Sequence, residues 1–206
     1  LAAALMALPL GGCAPRQETG ELRTIDVCEV THSVFYAPQY VAMSQGFFAE
    51  EGLSVELTVG QGADKVMAAV LSGSVDIGLA GPEASIYVME EGRQDYPQVF
   101  AQLTQRDGSF LVGREPKEDF QWEDLRGSHL LPGRKGGVPY MTLEYVLQEH
   151  GLVPGEDLLF DDSVDFSMMA AAFAAGTGDY VTIFEPTASA MELQGQGHIL
   201  ASVGQA

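Results

Sequence analysis

The chain has 206 residues, enough for one large or two small domains around a substantial hydrophobic core. Hydrophobic residues make up 46% and charged residues 19%, a composition typical of globular proteins. Acidic residues outnumber basic residues by 29 to 10, giving a formal net charge of −19. This balance argues against nucleic-acid binding, which needs clustered Lys and Arg to neutralise phosphates.

The first predicted segment, residues 1–12, is apolar and uncharged. It is too short to span a bilayer, which takes about 20 residues, but it fits the end of a secretory signal peptide. Residues 10–13 (LGGC) resemble a bacterial lipobox, in which the signal is cut before a cysteine that then receives a lipid. We therefore predict a signal remnant over 1–12, lipidation at Cys13 and a tether over 13–22. A core helix containing Cys13 is the alternative, which Pro9 and two glycines disfavour.

From residue 23 onward, strand and helix patterns alternate along the chain. The predicted strands cover 23–30, 53–59, 75–79, 98–105, 109–114, 128–132, 157–160, 179–184 and 198–203. The predicted helices cover 37–51 (interrupted near Gly46), 63–72, 82–91, 138–150, 165–175 and 186–194. This alternation predicts an α/β fold with mainly parallel sheets and helices on both faces. Two such series suggest two lobes, residues 23–106 and 107–204, with hinges near 105–108 and 202–204.

The segments that follow the predicted strands are the places to look for a binding site. In open α/β sheets, ligands bind beyond the carboxyl ends of the strands, beside helix N-termini. The segments are residues 31–38, 60–62, 80–83, 103–109, 133–137 and 184–186. Several contain glycine, which lets the backbone approach a ligand closely.

Two glycine-containing segments are candidate ligand contacts. Residues 60–65 (GQGADK) begin like a dinucleotide-binding fingerprint but have Lys65 in place of the third glycine, so we do not expect a nucleotide there. Gly60, Gln61 and Gly62 form either a tight turn alone or a turn that also contacts ligand. Residues 133–137 (GRKGG) precede a helix and suit an anionic group, although an ordinary solvated basic loop explains them equally well. In this segment we select Arg134 as a bidentate partner, Lys135 as a point charge and Gly136.

Acidic and aromatic side chains complete the candidate set. Glu83 and Glu185 each follow a strand, adjoin a proline and could bind an amine or amidine. An acid in the first turn of a helix is also stabilised by the helix dipole alone, which is the alternative for Glu83. With Arg134, these acids favour an aminopyrimidine-like or zwitterionic ligand over bare nitrate.

The turn after the first strand supplies further candidates. Phe35, Tyr36 and Tyr40 could stack on a planar ligand or belong to the core. Ser33 could donate a hydrogen bond, and Gly81 follows another strand beside Glu83. We expect Trp122 at the surface and Cys28 as a buried, inert thiol.

At these residues the sequence resembles the SsuA/THI5-like family of periplasmic-type substrate-binding proteins. The resemblance runs from about residue 24 to 204 and is carried by five segments. They are residues 37–57 (APQYVAMSQGFFAEEGLSVEL), 60–85 (GQGADKVMAAVLSGSVDIGLAGPEAS), 122–127 (WEDLRG), 133–137 (GRKGG) and 178–186 (GDYVTIFEP). It implies a type II periplasmic-binding-protein fold with a ligand cleft between two lobes. The family fold returns from the second lobe to the first, so we expect this chain to be a fragment with an incomplete first lobe.

The resemblance also implies a function. Family members bind nitrate, alkanesulfonates, taurine or pyrimidine precursors of thiamine and deliver them to an ABC permease and ATPase. We expect an extracytoplasmic, lipid-anchored, monomeric binding protein without cofactor, metal or enzymatic activity. The scattered histidines, the two cysteines and the absence of a GxSxG motif agree with that expectation. A related enzyme of pyrimidine-precursor synthesis and a ligand-sensing domain are the alternatives.

Overall fold

The computed structural model describes residues 21–206. The predictions for residues 1–12, for Cys13 and for most of the 13–22 tether lie outside the described residues. No helix within residues 21–206 is long and apolar enough to cross a membrane.

A three-stranded parallel sheet and its helices form the first unit. Its strands are β1 (Arg23–Glu29), β2 (Leu53–Val59) and β3 (Ile77–Leu79), in the order β2-β1-β3. Its helices are α1 (Ala37–Ser44), α2 (Phe47–Glu50), α3 (Ala63–Leu71) and α4 (Glu83–Glu90). The predicted interruption near Gly46 is confirmed, because Gly46 has a φ of +80° and separates α1 from α2.

A five-stranded mixed sheet forms the second unit, in the order β6-β5-β7-β4-β8. Its strands are β4 (Ser109–Gly113), β5 (His129–Leu131), β6 (Leu159–Phe160), β7 (Tyr180–Phe184) and β8 (His198–Ser202). Its helices are α5 (Val138–Glu149), α6 (Met169–Ala174) and α7 (Thr187–Leu193). Strand β5 is parallel to β6 and β7, whereas β4 is antiparallel to β7 and β8. The prediction of an α/β fold with mainly parallel pairing is confirmed.

The core of the second unit lies on both faces of its sheet. Successive residues of a strand point to opposite faces. Accordingly, Leu111 and Leu130 pack in one cluster with α5, and their neighbours Val112 and Leu131 pack in another with Phe173. Helices therefore cover both faces, as the sequence predicted. The first unit has a smaller buried set, which includes Val27, Val66 and, as predicted, Cys28.

The expectation that Trp122 lies at the surface was wrong. Its side chain is only 8% exposed and packs with Leu125 in the first of these clusters. The cause is local: Gln121 and Asp124 form a capping box that starts a 3-10 helix over Trp122–Leu125. That turn directs the indole inward, where it meets Phe120 edge-on at 5.5 Å between ring centres.

The predicted strand over residues 98–105 was also wrong. The segment has no regular secondary structure, and Val99 and Phe100 are 65% and 76% exposed. A strand needs a neighbour for its backbone hydrogen bonds. Strand β3 is the outer strand of its sheet, and no strand among residues 21–206 pairs with its free edge. Residues 98–105 have the alternating pattern of a strand but no partner strand with which to form backbone hydrogen bonds.

Candidate functional site

A cavity of about 870 Å³ lies between the two units. The first unit contributes the segments that follow β1, β2 and β3, and the second contributes those that follow β5 and β6 together with Phe184, the last residue of β7. Residues 105–107, where the chain passes from the first unit to the second, and residues 203–204 also line the cavity. The cavity thus lies where the carboxyl ends of parallel strands from both sheets meet, which is the usual ligand position in such sheets.

Seven of the twelve predicted ligand-binding residues line this cavity. They are Phe35, Tyr36, Gln61, Gly62, Gly81, Glu83 and Arg134. The other five are not among its lining residues: Ser33, Gly60, Lys135, Gly136 and Glu185. Contact with a ligand stays a prediction for all twelve.

Ser33 and Glu185 are joined to each other across the two units. The buried hydroxyl of Ser33 donates to the backbone carbonyl of Glu185 and accepts from the backbone N–H of Phe35 at 3.2 Å. The Glu185 carboxylate accepts from the backbone N–H and the hydroxyl of Ser189, at 3.0 and 2.6 Å. It therefore serves the first turn of α7 and does not face the cavity.

The other three predicted residues outside the lining are Gly60, Gly136 and Lys135, and the structure shows what surrounds each of them. Gly60 lies so close to Val66 and Cys28 that a Cβ would be 2.9 Å from a Val66 methyl, which makes this glycine necessary for packing. The carbonyl of Gly136 accepts a hydrogen bond from the Tyr87 hydroxyl at 2.9 Å. Lys135 is exposed beside it.

Glu83 is the most unusual side chain in the cavity wall. It is 7% exposed, and its Oε2 atom is buried without a hydrogen-bond partner among the described residues. Burial raises the pKa of this carboxyl, and its own N–H, the N–H of Val138 and the Arg134 charge oppose the rise. Gly81 lies directly against it: a Cβ at Gly81 would overlap the Glu83 carboxylate and a Val138 methyl.

The loop of Gln61 and the side chain of Arg134 form the more polar side of the cavity. Gln61 has a φ of +59°, so its backbone is in the left-handed region that favours glycine. The Nε of Arg134 lies 3.6 Å from Oδ1 of Asp64, and both side chains are about half exposed. Arg134 is thus available to a ligand only in competition with Asp64.

Three phenylalanines form an aromatic wall, defined here as Phe35, Phe166 and Phe184. Phe35 stacks on Phe184 with 5.6 Å between ring centres, and Phe166 meets Phe184 edge-on at 5.6 Å. Sequence reasoning missed Phe166 and Phe184. Phe184 ends a predicted strand and heads the FEP segment, a signal that could have identified it. Phe166 lies in a segment predicted as helix and gave no such signal.

A hydrogen-bonded group around the buried carboxylate of Glu29 lies at the end of β1 and in the turn that follows it. Glu29 is fully buried and accepts from the Tyr40 hydroxyl at 2.6 Å, while its other oxygen lies 3.0 Å from Nδ1 of His32. Burial and this hydrogen bond raise the pKa of Tyr40 to about 12. Tyr40 therefore supports the turn after β1 and is not part of the cavity lining. Tyr36 does line the cavity, and burial together with nearby acids, Glu29 first, raises its pKa.

The charged groups of the lining are mostly acidic. The acids are Asp64, Glu83, Asp107, Asp162 and Asp165, against the bases Lys65, Arg106 and Arg134. Burial raises the pKa of Asp107, although Ser109 donates to it through both its N–H and its hydroxyl. Within residues 21–206, no group of three or more His, Cys, Asp or Glu side chains could hold a metal ion.

Comparisons with known proteins relate the chain to binding proteins. The model of the NMT1-like family matches residues 29–205. The Bacillus subtilis (strain 168) protein named "Putative binding protein YtlA" is 52% identical over 184 residues, which are 89% of this chain and 55% of that protein. The chain therefore spans about half the length of this curated relative.

Solved structures share the fold at low sequence identity. The periplasmic nitrate-binding protein NrtA from Synechocystis PCC 6803 superposes with a TM-score of 0.70 at 18% identity, over 90% of this chain and 52% of that one. The periplasmic aliphatic sulphonate binding protein SsuA from Escherichia coli gives 0.63 at 19% identity, over 86% and 60%. A ligand-binding component of an ABC-type import system from Staphylococcus aureus gives 0.66 at 17% identity, over 89% and 62%.

Proposed function

The chain belongs to the NMT1-like family and has the periplasmic-binding-protein fold, and from this premise we propose that it captures a small solute for an ABC-type importer. The observation that carries the proposal is the cavity between the two units. Its volume of about 870 Å³ lies in the range of small-molecule sites, about 300–1,000 Å³. Its walls are largely apolar, with a few polar groups that could orient a ligand.

The partners and location form part of the same proposal. Relatives of this fold include a ligand-binding component of an ABC-type import system, which supports a permease and an ATPase as partners. NrtA and SsuA are periplasmic proteins, which supports an extracytoplasmic location. Lipidation at Cys13 would hold the protein at the membrane surface. A monomer would suffice, because both walls of the cavity come from one chain.

The ligand belongs, in this proposal, to the classes that the family resemblance implies. These are oxyanions such as nitrate, alkanesulfonates and taurine, and pyrimidine precursors of thiamine. The neighbours NrtA and SsuA described above are named for oxyanions, nitrate and aliphatic sulphonate. At 18–19% identity they share only the fold with this chain, so their ligands do not decide between the classes.

A thermal-shift screen of the full-length mature protein, carrying Cys13→Ser, tests the proposal. The panel holds nitrate, ethanesulfonate, taurine and 4-amino-5-hydroxymethyl-2-methylpyrimidine. A ligand at 100 times its Kd stabilises the folded state by about 2.7 kcal/mol, which raises the Tm by several degrees. We expect one class to produce this shift.

Two tryptophan variants on the same helix locate the binding. Thr142 lines the cavity from α5, whereas Glu149 ends that helix at an exposed position outside the lining. We expect Thr142→Trp to fill the cavity and abolish the shift, and Glu149→Trp to leave it unchanged. If no compound shifts the Tm of the full-length protein, or if both variants bind normally, capture in this cavity is disproved. Conversion of a panel compound during incubation would favour an enzyme instead.

A further inference from the structure

A fully buried carboxylate lies at the end of β1. Glu29 is 0% exposed, and a carboxylate removed from water is stable only where hydrogen bonds replace the water. Two side chains provide them: the Tyr40 hydroxyl donates to Oε2 of Glu29 at 2.6 Å, and Nδ1 of His32 lies 3.0 Å from Oε1. Both partners belong to the segment that follows β1, so Glu29 fixes the start of that segment.

Tyr40 connects Glu29 to Ser33. Its hydroxyl has one proton, which it donates to Glu29, and the same oxygen accepts from the backbone N–H of Ser33 at 3.2 Å. The Tyr40 ring also lies against the His32 ring, with 4.5 Å between the ring centres. The hydroxyl therefore has a defined position, and the backbone N–H of Ser33 is fixed relative to the end of β1.

Ser33 in turn joins the first unit to the second. It is 1% exposed, and its hydroxyl donates to the backbone carbonyl of Glu185. A hydrogen bond weakens steeply outside its proper distance and angle, so the short serine side chain reaches that carbonyl only if its backbone is held in place. Glu29 and Tyr40 are not among the residues that line the cavity, so they act on it only through Ser33.

We propose that Glu29 and Tyr40 are positioning residues for the hydrogen bond between Ser33 and Glu185, and that they control how firmly the two units are joined. We call Glu29, Tyr40 and Ser33 the relay. Proteins of this fold enclose a ligand by hinge closure, so the relay sets the rate of ligand release from outside the cavity. This last step rests on the proposed function, whereas the joining of the units does not.

Distances between the two units test the relay without any ligand. Spin labels are attached at Glu51→Cys in the first unit and at Glu156→Cys in the second, both at exposed positions, in the full-length protein carrying Cys13→Ser. Cys28 is buried, so the label reacts at the two introduced cysteines. Double electron–electron resonance then gives the distribution of distances between the labels.

We expect the relay variants to change this distribution. The unmodified relay should give one main distance, because the bond between Ser33 and Glu185 joins the units. Ser33→Ala removes that bond, and Tyr40→Phe removes the group that positions it, so each variant should show a second population of distances.

Ligand release provides the second measurement. The probe is the compound among nitrate, ethanesulfonate, taurine and 4-amino-5-hydroxymethyl-2-methylpyrimidine that shifts the Tm most, and stopped-flow displacement gives its koff. We expect Tyr40→Phe and Glu29→Leu each to raise koff about 2- to 10-fold. Glu29→Gln should stay within about threefold of the unmodified protein, because an amide can still accept from Tyr40 and donate to His32.

A double-mutant cycle distinguishes positioning from a general effect on the fold. If Tyr40 acts through Ser33, adding Tyr40→Phe to Ser33→Ala should change koff by less than about 1.5-fold, whereas two independent effects would multiply. Tyr180→Phe is the control, because that tyrosine begins β7 in the second unit and lies outside the cavity lining. It should leave koff and the distances unchanged. Circular dichroism and the Tm of each variant confirm that it is folded.

The outcomes separate the relay from the function on which its last step rests. An unchanged distance distribution in Tyr40→Phe would overturn the relay, and so would effects on koff that multiply in the double variant. If no panel compound binds, the proposed function is disproved, while the distance measurements still decide whether the relay joins the units. A second population in Tyr40→Phe, with no further change in the double variant, supports the relay.

Discussion

At the scale of single residues, the ionisation of Glu83 in the cavity wall should make binding of a cationic ligand there depend on pH. Burial raises the pKa of this carboxyl above its ordinary range, and Arg134 and the neighbouring N–H groups only partly oppose it. Below that pKa the carboxyl is neutral and attracts a cationic donor weakly. Above it the carboxylate accepts fully, so affinity for a donor should fall as the pH falls through the pKa of Glu83.

Benzamidine is a suitable probe for this prediction because its amidinium stays protonated across the range. We expect its Kd to increase as the pH is lowered from neutrality through the pKa of Glu83. The Glu83→Gln variant should give a much flatter profile. Asp107 also has a raised pKa and lines the cavity, so Asp107→Asn is measured alongside. If the pH dependence persists in Glu83→Gln but is flattened in Asp107→Asn, it is caused by Asp107 and not by Glu83.

The unliganded protein should become more stable when the Glu83 charge is removed. A carboxyl whose folded-state pKa is raised stabilises the fold at low pH, and that contribution is lost as the pH rises through the folded-state pKa. At neutral pH, Glu83→Gln should therefore raise the Tm, by about 2–4 °C for a gain on the order of 1 kcal/mol. Differential scanning calorimetry measures it. A lowered Tm would mean that Glu83 serves the fold and not a ligand.

At the scale of elements, Arg114 joins the end of β4 to the end of α6. Its guanidinium donates to the carbonyls of Gly178 at 2.8 Å, Thr177 at 3.0 Å and Phe173 at 3.1 Å, and its central carbon lies 4.2 Å from the Phe173 ring centre. These carbonyls lie in or just beyond the last turn of α6, where helical partners are missing. A planar cation with several donors suits this position better than an ammonium group does.

We expect Arg114→Ala to lower the free energy of unfolding by about 2–4 kcal/mol, and Arg114→Lys to recover less than half of it. Urea unfolding of the full-length protein measures both. The control is Arg126→Ala, which removes an arginine from an exposed ion pair and should cost under about 1 kcal/mol. Equal losses at Arg114 and Arg126 would contradict the special role of the Arg114 contacts.

The sequence predicted most elements because their signals are local. Three features could be read from neighbouring residues alone. They are the alternation of strand and helix patterns, the helix break at Gly46 with its positive φ, and the burial of Cys28. The prediction of a strand over 98–105 was wrong because a strand needs a partner strand elsewhere in the chain, and the pattern of the segment itself does not reveal whether that partner exists. The prediction that Trp122 lies at the surface was wrong because the capping box of Gln121 and Asp124 starts a turn that directs the indole inward.

At the scale of the whole molecule, the sequence located the cleft better than it located the contacts between the units. The rule that ligands bind beyond strand ends selected seven residues that line the cavity. The same rule selected Ser33 and Glu185, which the fold joins to each other. Both residues do follow strands on facing units, but spacing along the chain does not tell whether two such groups meet each other or a ligand.

Hydrogen bonds of Ser33 and Tyr87 are among the contacts that join the units beside the cavity. The Ser33 hydroxyl reaches the Glu185 carbonyl, and the Tyr87 hydroxyl reaches the Gly136 carbonyl at 2.9 Å. Each connects the first unit to the second, and Ser33 is almost fully buried. Proteins of this fold capture ligands by hinge closure. We infer that these bonds act as closing contacts that oppose release of a bound ligand.

Removing the closing contacts should therefore speed ligand dissociation more than it slows association. A neutral hydrogen bond contributes about 0.5–1.5 kcal/mol, so Ser33→Ala and Tyr87→Phe should each raise koff about 2- to 12-fold, and the pair should raise it further. Stopped-flow displacement of a bound panel ligand from the full-length protein gives koff. Ser189→Ala is the control, because Ser189 bonds Glu185 within the second unit alone. If the double variant releases ligand as slowly as the unmodified protein, these contacts do not hold the cleft closed, and closure must depend on the ligand and the aromatic wall.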